Sequence, residues 1–290
     1  MNLLHDISWV VPLRNDLLTP IFQFFTWLGY PTFMMLILPL GYWLWGKDKF
    51  TRVAIVVIIS TILNAFLKDF WENPRPDLMF RLDGQVGQSF GMPSGHAQVS
   101  AALWFWVAYE VRKIWAWIVA TVVVSGICFS RIYLGIHDLE DILVGLSIAA
   151  ISLFLFSILF GQKLKILNQV PLWCWLIFIV LSGFFVNSAW PNAEHSMGAV
   201  ALFGLLFSWS IGAAIEPMLV DFKPAKRVWK MILIAIIGIT GLMLLFTAAK
   251  PVLNLFEPLL AATFRSALLG IYITLVAPVL FKLCKLSSPS

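Results

Sequence analysis

Charge is what this sequence has least of. Only 12% of its 290 residues are Asp, Glu, Lys or Arg, while 60% are hydrophobic, and the mean hydropathy is +0.89. A soluble domain of this size would expose sticky patches with such a composition, so the class is a polytopic membrane protein. Cysteine is scarce as well. Cys128, Cys174 and Cys284 lie far apart, form no CxxC pair and have no metal-ligand spacing. They read as small hydrophobes, and no metal or other cofactor is expected. A signal peptide of the usual form is missing. The first twenty residues carry His5, Asp6, Arg14 and Asp16 rather than a basic stretch and a clean apolar run. They read as a short amphipathic helix lying at the interface. No lipidation signal is visible at either end.

What is abundant is apolar length. A spanning helix needs roughly 20 apolar residues. About nine stretches qualify: 22–45, 53–71, 93–111, 114–135, 139–160, 171–190, 197–220, 228–248 and 258–281. The expected fold is an all-α bundle of about nine transmembrane helices. Trp43, Trp45, Trp71 and Trp190 fall near span ends. They form an interfacial belt rather than a stacking surface for bases, and no nucleic-acid partner is expected.

The loops alternate between two faces. One face collects Lys47, Lys49, Arg52, Arg112, Lys113, Lys163, Lys165, Lys223, Lys226, Arg227, Lys230, Lys282 and Lys285. The positive-inside rule makes that face cytoplasmic, with the N-terminus outside and the C-terminus inside. Residues 1–165 carry nearly all the polar clusters and form a first domain. Residues 166–290 are further apolar helices, in which Gly198, Gly204, Gly212, Gly238 and Gly241 allow close helix approach.

Three polar clusters converge on the non-cytoplasmic side. "KDFWENPRP" holds Lys68 and Arg75. "PSGH", Pro93 to His96, opens the third span. "SRIYLGIHDLED" holds Ser130, Arg131, His137 and Asp141. Charges at a membrane edge are costly and mark function. A phosphomonoester carries about two negative charges that must be neutralised before attack. Lys68, Arg75 and Arg131 supply three cations, and guanidinium groups grip phosphate oxygens in pairs. Pro93 suits the first turn of a helix. The backbone N–H groups of Ser94, Gly95 and His96 would then face an anion, with the Ser94 hydroxyl as a further donor. Asp141 lies one helical turn after His137 and can hold its imidazole, making His137 the better nucleophile. His96, beside the phosphate-binding turn, is left as general acid.

Together the motifs resemble the type 2 phosphatidic acid phosphatase superfamily, whose pattern is Lys-x6-Arg-Pro, then Pro-Ser-Gly-His, then Ser-Arg-x5-His-x3-Asp. Every position matches here, across about residues 50–160. The resemblance implies a phosphatase that works through a phosphohistidine. It implies the same roles: His137, His96 and Asp141 catalytic; Lys68, Arg75, Ser94, Gly95 and Arg131 binding phosphate; no metal. The expected substrates are lipid phosphates such as phosphatidate and phosphatidylglycerol phosphate, or polyprenyl diphosphates, met at a periplasmic or lumenal face. The superfamily also contains glucose-6-phosphatase, so a soluble sugar phosphate is the alternative substrate. A non-catalytic carrier of lipid phosphate is the alternative outside enzymes.

Other polar residues have plainer readings beside sharper ones. Asp138 and Asp141 have the spacing of a helix cap and its N3 partner. Arg265 either pairs within the bundle or makes a second head-group contact. Glu194 and His195 are loop residues or part of a lid. Glu216 reads as structural, and His5 has no assigned role.

Overall fold

The structure, a computed structural model, describes residues 4–84, 89–160, 170–192, 196–253 and 255–288. The sharper alternative for Glu194 and His195 lies outside them. All regular elements among the described residues are helical: α1 (Leu18–Trp27), α2 (Pro31–Leu44), α3 (Lys47–Trp71), α4 (Gly95–Val111), α5 (Ile114–Tyr133), α6 (Leu139–Leu159), α7 (Leu172–Ala189), α8 (Met197–Leu219), α9 (Val228–Leu253), α10 (Pro258–Ile271) and α11 (Ala277–Leu283). Seven described spans are long and apolar enough to cross a membrane, with α10 and α11 counted as one. The α1–α2 pair makes an eighth if it is one broken span. At 17 residues, α4 is about 25 Å long, short of the roughly 30 Å hydrocarbon core.

Two expectations near the N-terminus are corrected. The interfacial amphipathic helix is instead a 3-10 turn over Ser8–Leu13, which buries Ile7 and Val10 in a core with Ala97, Ala101, Cys128 and Ile142. The single span over 22–45 is two helices bent by 56°. Pro31 has no N–H for the helical ladder but suits the first turn of a new helix, so the run breaks at Gly29–Tyr30.

The chain divides into two compact units, Met1–Met34 with Ile59–Leu164, and Met35–Ile58 with Lys165–Ser290. Residues 35–58 therefore fall with the second unit rather than the first.

In the first unit α4 packs on α5 and α6, and α1 on α5. Gly145 lets α6 approach the start of α4, since a Cβ there would sit 2.8 Å from the Ser94 carbonyl. After α5 the chain turns at Gly135, where φ is +74° and a Cβ would lie 1.9 Å from the Phe80 carbonyl. Only glycine fits both demands. Arg14 ties this corner together by donating to the Tyr133 carbonyl at 3.0 Å and the Phe80 carbonyl at 2.7 Å.

In the second unit α8 and α10 pack at close range. A Cβ on Gly204, Gly212, Gly238 or Gly241 would strike a neighbour, whereas Gly198 faces open space and does not serve close packing. A π turn at Tyr272–Val276 joins α10 to α11. Pro278 lacks the N–H that would serve the turn's carbonyls. Trp43 Nε1 donates to Ile273 O at 2.8 Å and Tyr42 to Thr274 O at 3.3 Å in its place. Arg265 lies over the Phe246 ring, 5.2 Å from its centroid, a cation–π contact inside the bundle.

Glu216 is fully buried. One carboxylate oxygen pairs with Lys47 and the other accepts the Phe222 N–H at 2.7 Å, closing the end of α8. Breaking a buried pair leaves a charge uncompensated, at a cost of about 3–5 kcal/mol. Glu216→Ala should therefore lower the unfolding midpoint in detergent sharply, and Glu216→Gln, which keeps an acceptor but not the charge, should fall between it and wild type. Equal midpoints for wild type and Glu216→Ala would rule this out.

Candidate active site

The polar cluster forms where α3 and α5 end and α4 and α6 begin. Asp138 caps α6, its Oδ1 accepting the Asp141 N–H at 2.9 Å. This places the Asp141 carboxylate on His137, with Oδ2 2.7 Å from Nδ1. The other ring nitrogen faces Arg75, whose Nη1 lies 3.2 Å from His137 Nε2. A guanidinium only donates, so Nε2 accepts and carries the lone pair, and Nδ1 carries the proton given to Asp141. Burial first, then the charges of Lys68, Arg75 and Arg131, hold His137 well below the ordinary imidazole range. The ring is therefore neutral at pH 7, the form in which a nitrogen can attack.

Backbone carbonyls hold Lys68 and most of Arg75, and side chains hold Arg131. Lys68 Nζ donates to the carbonyls of Phe90 at 2.5 Å and Gly91 at 2.7 Å. Arg75 donates to the Ser89 carbonyl at 2.7 Å, the Ser89 hydroxyl at 2.9 Å and the Ile136 carbonyl at 3.3 Å. Burial, followed by Arg131 and Arg81, lowers Arg75 to about 10, which leaves it charged at neutral pH. Arg131 is 1% exposed. Its Nη1 donates to the Thr26 hydroxyl and lies 3.2 Å from Asp83 Oδ2. Its buried Nε has no partner among the described residues.

The turn that opens α4 differs from expectation in two ways. Pro93 precedes the cap instead of occupying the first turn, because Ser94 is the N-cap, its hydroxyl accepting the Ala97 N–H at 3.5 Å. The Ser94 N–H is not free for an anion, since it donates to the Asp141 carbonyl at 2.9 Å. Gly95 and His96 keep the unpaired N–H groups of the first turn. Asn64 braces the turn, donating to the Pro93 carbonyl at 3.1 Å and to Gln98 Oε1 at 2.9 Å. Gly95 is needed there, as a Cβ would sit 2.9 Å from Asn64 Oδ1. The His96 ring meets Tyr30 edge-on at 4.9 Å, and its Nε2 is buried without a partner among the described residues.

All eight predicted site residues thus sit in one cluster of the first unit. The sequence reading missed Asn64 and Gln98, and it missed Thr26, Tyr30 and Asp83, where Tyr30 donates to Asp83 at 2.5 Å. A polar Asn and Gln inside apolar spans was the available signal for the first pair. Nothing local marks the other three.

His5 also gains a place. Its Nδ1 lies 2.7 Å from Asp138 Oδ2 and its Nε2 3.1 Å from Glu140 Oε2. The bond to Asp138 leads the causes that raise its pKa above 6.5. A histidine raised on folding stabilises fully below its unfolded value, and the gain disappears as pH rises through the folded value. The melting-temperature gap between wild type and His5→Ala should be widest near pH 5.5 and close by about pH 9, above the ordinary histidine range. A gap that widens with pH would contradict the assignment.

Known proteins can now be set beside this geometry. Residues 49–165 match the family model of the PAP2 superfamily, and residues 200–289 match that of the PAP2 superfamily phosphatase transmembrane extension. Mouse sphingosine-1-phosphate phosphatase 2 is 29% identical over 147 residues, covering 48% of this chain and 42% of that protein. Phosphatidylglycerophosphatase B of Bacillus subtilis is 28% identical over 172 residues, covering 54% of this chain and 80% of that one. Matches over shorter stretches include a yeast dolichyldiphosphatase, 28% identical over 131 residues, and a lipid A 4'-phosphatase of Bacteroides thetaiotaomicron, 34% identical over 85 residues. The chain spans about half the length or less of the sphingosine-phosphate phosphatases it matches. The crystal structure of a transmembrane PAP2 type phosphatidylglycerolphosphate phosphatase from Bacillus subtilis aligns over 55% of this chain and 84% of its own, at 26% identity and a TM-score of 0.48. The two family matches cover most of the chain, the first of them takes in all eight predicted site residues, and the chain belongs to the PAP2 superfamily of membrane lipid phosphate phosphatases.

Proposed function

We propose that this phosphatase removes phosphate from a lipid phosphate monoester or a polyprenyl diphosphate through a phosphohistidine on His137. The observation that carries the reading is the orientation of that ring. Nδ1 is locked to Asp141 at 2.7 Å and Nε2 is turned toward Arg75. When phosphate arrives, its oxygens compete for the Arg75 guanidinium and release the Nε2 lone pair. Nε2 then attacks phosphorus, the P–O bond to the leaving group breaks, and protonated His96 gives its proton to the departing oxygen. Water next attacks the phosphohistidine, His96 takes up a proton from it, and inorganic phosphate leaves. Lys68, Arg75 and Arg131, with the Gly95 and His96 N–H groups and the Ser94 hydroxyl, carry the charge of the five-coordinate state. The reaction then needs no metal ion, because these cations supply the neutralisation.

The same reading places the site at the periplasmic or lumenal face. The basic loops gather at the opposite ends of the spans. It also takes α4 as a ninth span, whose short length is made up by the folded loop before it. The substrate's tails stay in the bilayer while its phosphate reaches the cluster. The relatives named for sphingosine 1-phosphate, phosphatidylglycerophosphate, dolichyl diphosphate and lipid A support a lipid substrate.

Purified protein assayed in EDTA against phosphatidate, phosphatidylglycerol phosphate, sphingosine 1-phosphate, polyprenyl diphosphate and glucose 6-phosphate should release phosphate from a lipid, with inhibition by vanadate. His137→Ala should abolish turnover of every substrate. His96→Ala should lose about 10²–10⁴-fold on the lipid and far less on nitrophenyl phosphate, whose leaving group needs no proton. Equal losses for His96→Ala on both substrates would reverse the roles, and activity that needs added Mg²⁺ would remove the metal-free mechanism.

Sidedness has its own check. Met79 is 77% exposed, in the loop between α3 and α4. Met79→Cys, in a background with the three native cysteines replaced, should react with an impermeant thiol reagent in intact cells. Labelling only after lysis would invert the topology.

A further inference from the structure

One face of α4 holds three buried polar atoms without a hydrogen-bond partner among the described residues: His96 Nε2, Ser100 Oγ and Trp104 Nε1. Their spacing of four residues puts them on one face of the helix, with Cβ atoms about 5–6 Å apart. The series begins at the proposed general acid and descends toward the middle of the helix.

Ser100 is fully buried, and its lack of a partner is unusual for this molecule. Ser147, Ser157, Ser188, Ser208 and Ser210 each donate to a carbonyl one turn back on their own helix. Ser100 makes no such bond. Its Oγ and the His96 ring face the same point beside Gly29, where a Cβ would lie 3.2 Å from Ser100 Oγ and 2.5 Å from His96 Cδ2. The break between α1 and α2 runs along this face, and Phe33 of α2 stacks on Trp104 at 6.1 Å.

The ester oxygen that His96 protonates must lie at His96 Nε2, so the carbons next to that oxygen lie within a turn of it. We propose that this face of α4 is the subsite for the alcohol half of the substrate, and that the preferred lipid phosphates carry a hydroxyl, amine or ester oxygen on one of the carbons next to the phosphoester oxygen for Ser100 to bond. This rests on the phosphatase reading above and narrows it. A hydroxyl both donates and accepts, so Ser100 meets any of these groups, whereas the Trp104 indole only donates and requires an acceptor farther down the chain. A bare isoprenoid chain offers neither and leaves both atoms buried and unpaired, which disfavours it.

The test is a ratio. kcat/KM is measured for sphingosine 1-phosphate, phosphatidate and farnesyl phosphate, the last having no polar atom beyond its ester oxygen. Wild type should favour the first two. Ser100→Ala should lower the ratio of either to farnesyl phosphate about fivefold, the worth of one hydrogen bond. Trp104→Phe, which keeps the ring and removes the N–H, should lower it in the same direction. A fall confined to sphingosine 1-phosphate assigns the group to an amino alcohol, and a fall for both lipids assigns it to any polar atom at that position. Ratios unmoved by both variants, whether all rates drop together or none does, overturn the subsite while wild-type turnover keeps the phosphatase reading. If wild type hydrolyses none of the three, the subsite is overturned, and the phosphatase reading stands or falls on the full substrate panel above.

Discussion

Asp141 is the residue on which the site depends, because all three of its hydrogen-bonding groups are engaged with different parts of it. Its N–H is bound by the Asp138 cap, its carbonyl accepts the Ser94 N–H, and its carboxylate holds His137. One residue therefore sets the start of α6, the turn that opens α4, and the tautomer of the proposed nucleophile. The arrangement requires the two helix starts to touch, which Gly145 permits. It also requires the loop before α4 to pass close, and Gly91 does so, since a Cβ there would lie 3.1 Å from Asp141 Oδ2.

Burying cations so near one another in an apolar bundle is costly unless each is paired or hydrogen-bonded. The loop between α3 and α4 answers that cost. Its carbonyls at Ser89, Phe90 and Gly91 take the protons of Arg75 and Lys68, and Asp83 sits against Arg131. The loop thus holds Lys68 and Arg75 through neutral acceptors that leave their charges intact, and an anion can replace these contacts with charge-assisted ones. The same reasoning explains why the second unit is quiet. The one fully buried carboxylate among its described residues, Glu216, is matched by Lys47 and a backbone N–H.

What could be read in the sequence was what depends on spacing. His137 and Asp141 are four apart and fall on one helical turn. Asp138 caps because of its position before an apolar run, and the three motifs meet because consecutive spans reverse direction. What could not be read depends on which distant residue comes close. The partners Thr26, Tyr30 and Asp83 lie 105, 66 and 48 residues from Arg131, His96 and Arg131, which they touch. The Ser94 N–H looked available because the approach of α6 is invisible along the chain. The α1–α2 break was missed for another reason. Hydropathy averages over Gly29 and Pro31, whereas the backbone ladder is interrupted by a single residue without an N–H.

The placement of charge also follows from helix direction. Successive helices here present opposite ends to the cluster, which receives the C-termini of α3 and α5 and the N-termini of α4 and α6. A helix C-terminus favours a cation and an N-terminus favours an anion. Lys68 and Arg131 lie in the last turns of α3 and α5, and Glu140 and Asp141 in the first turn of α6. The first turn of α4 holds no acid, so among the four helix ends it alone keeps an N-terminus open to an anion from outside the chain. The first turn of α4 is thus the place in this cluster where an anion from outside the chain would meet a helix dipole that no acidic side chain answers.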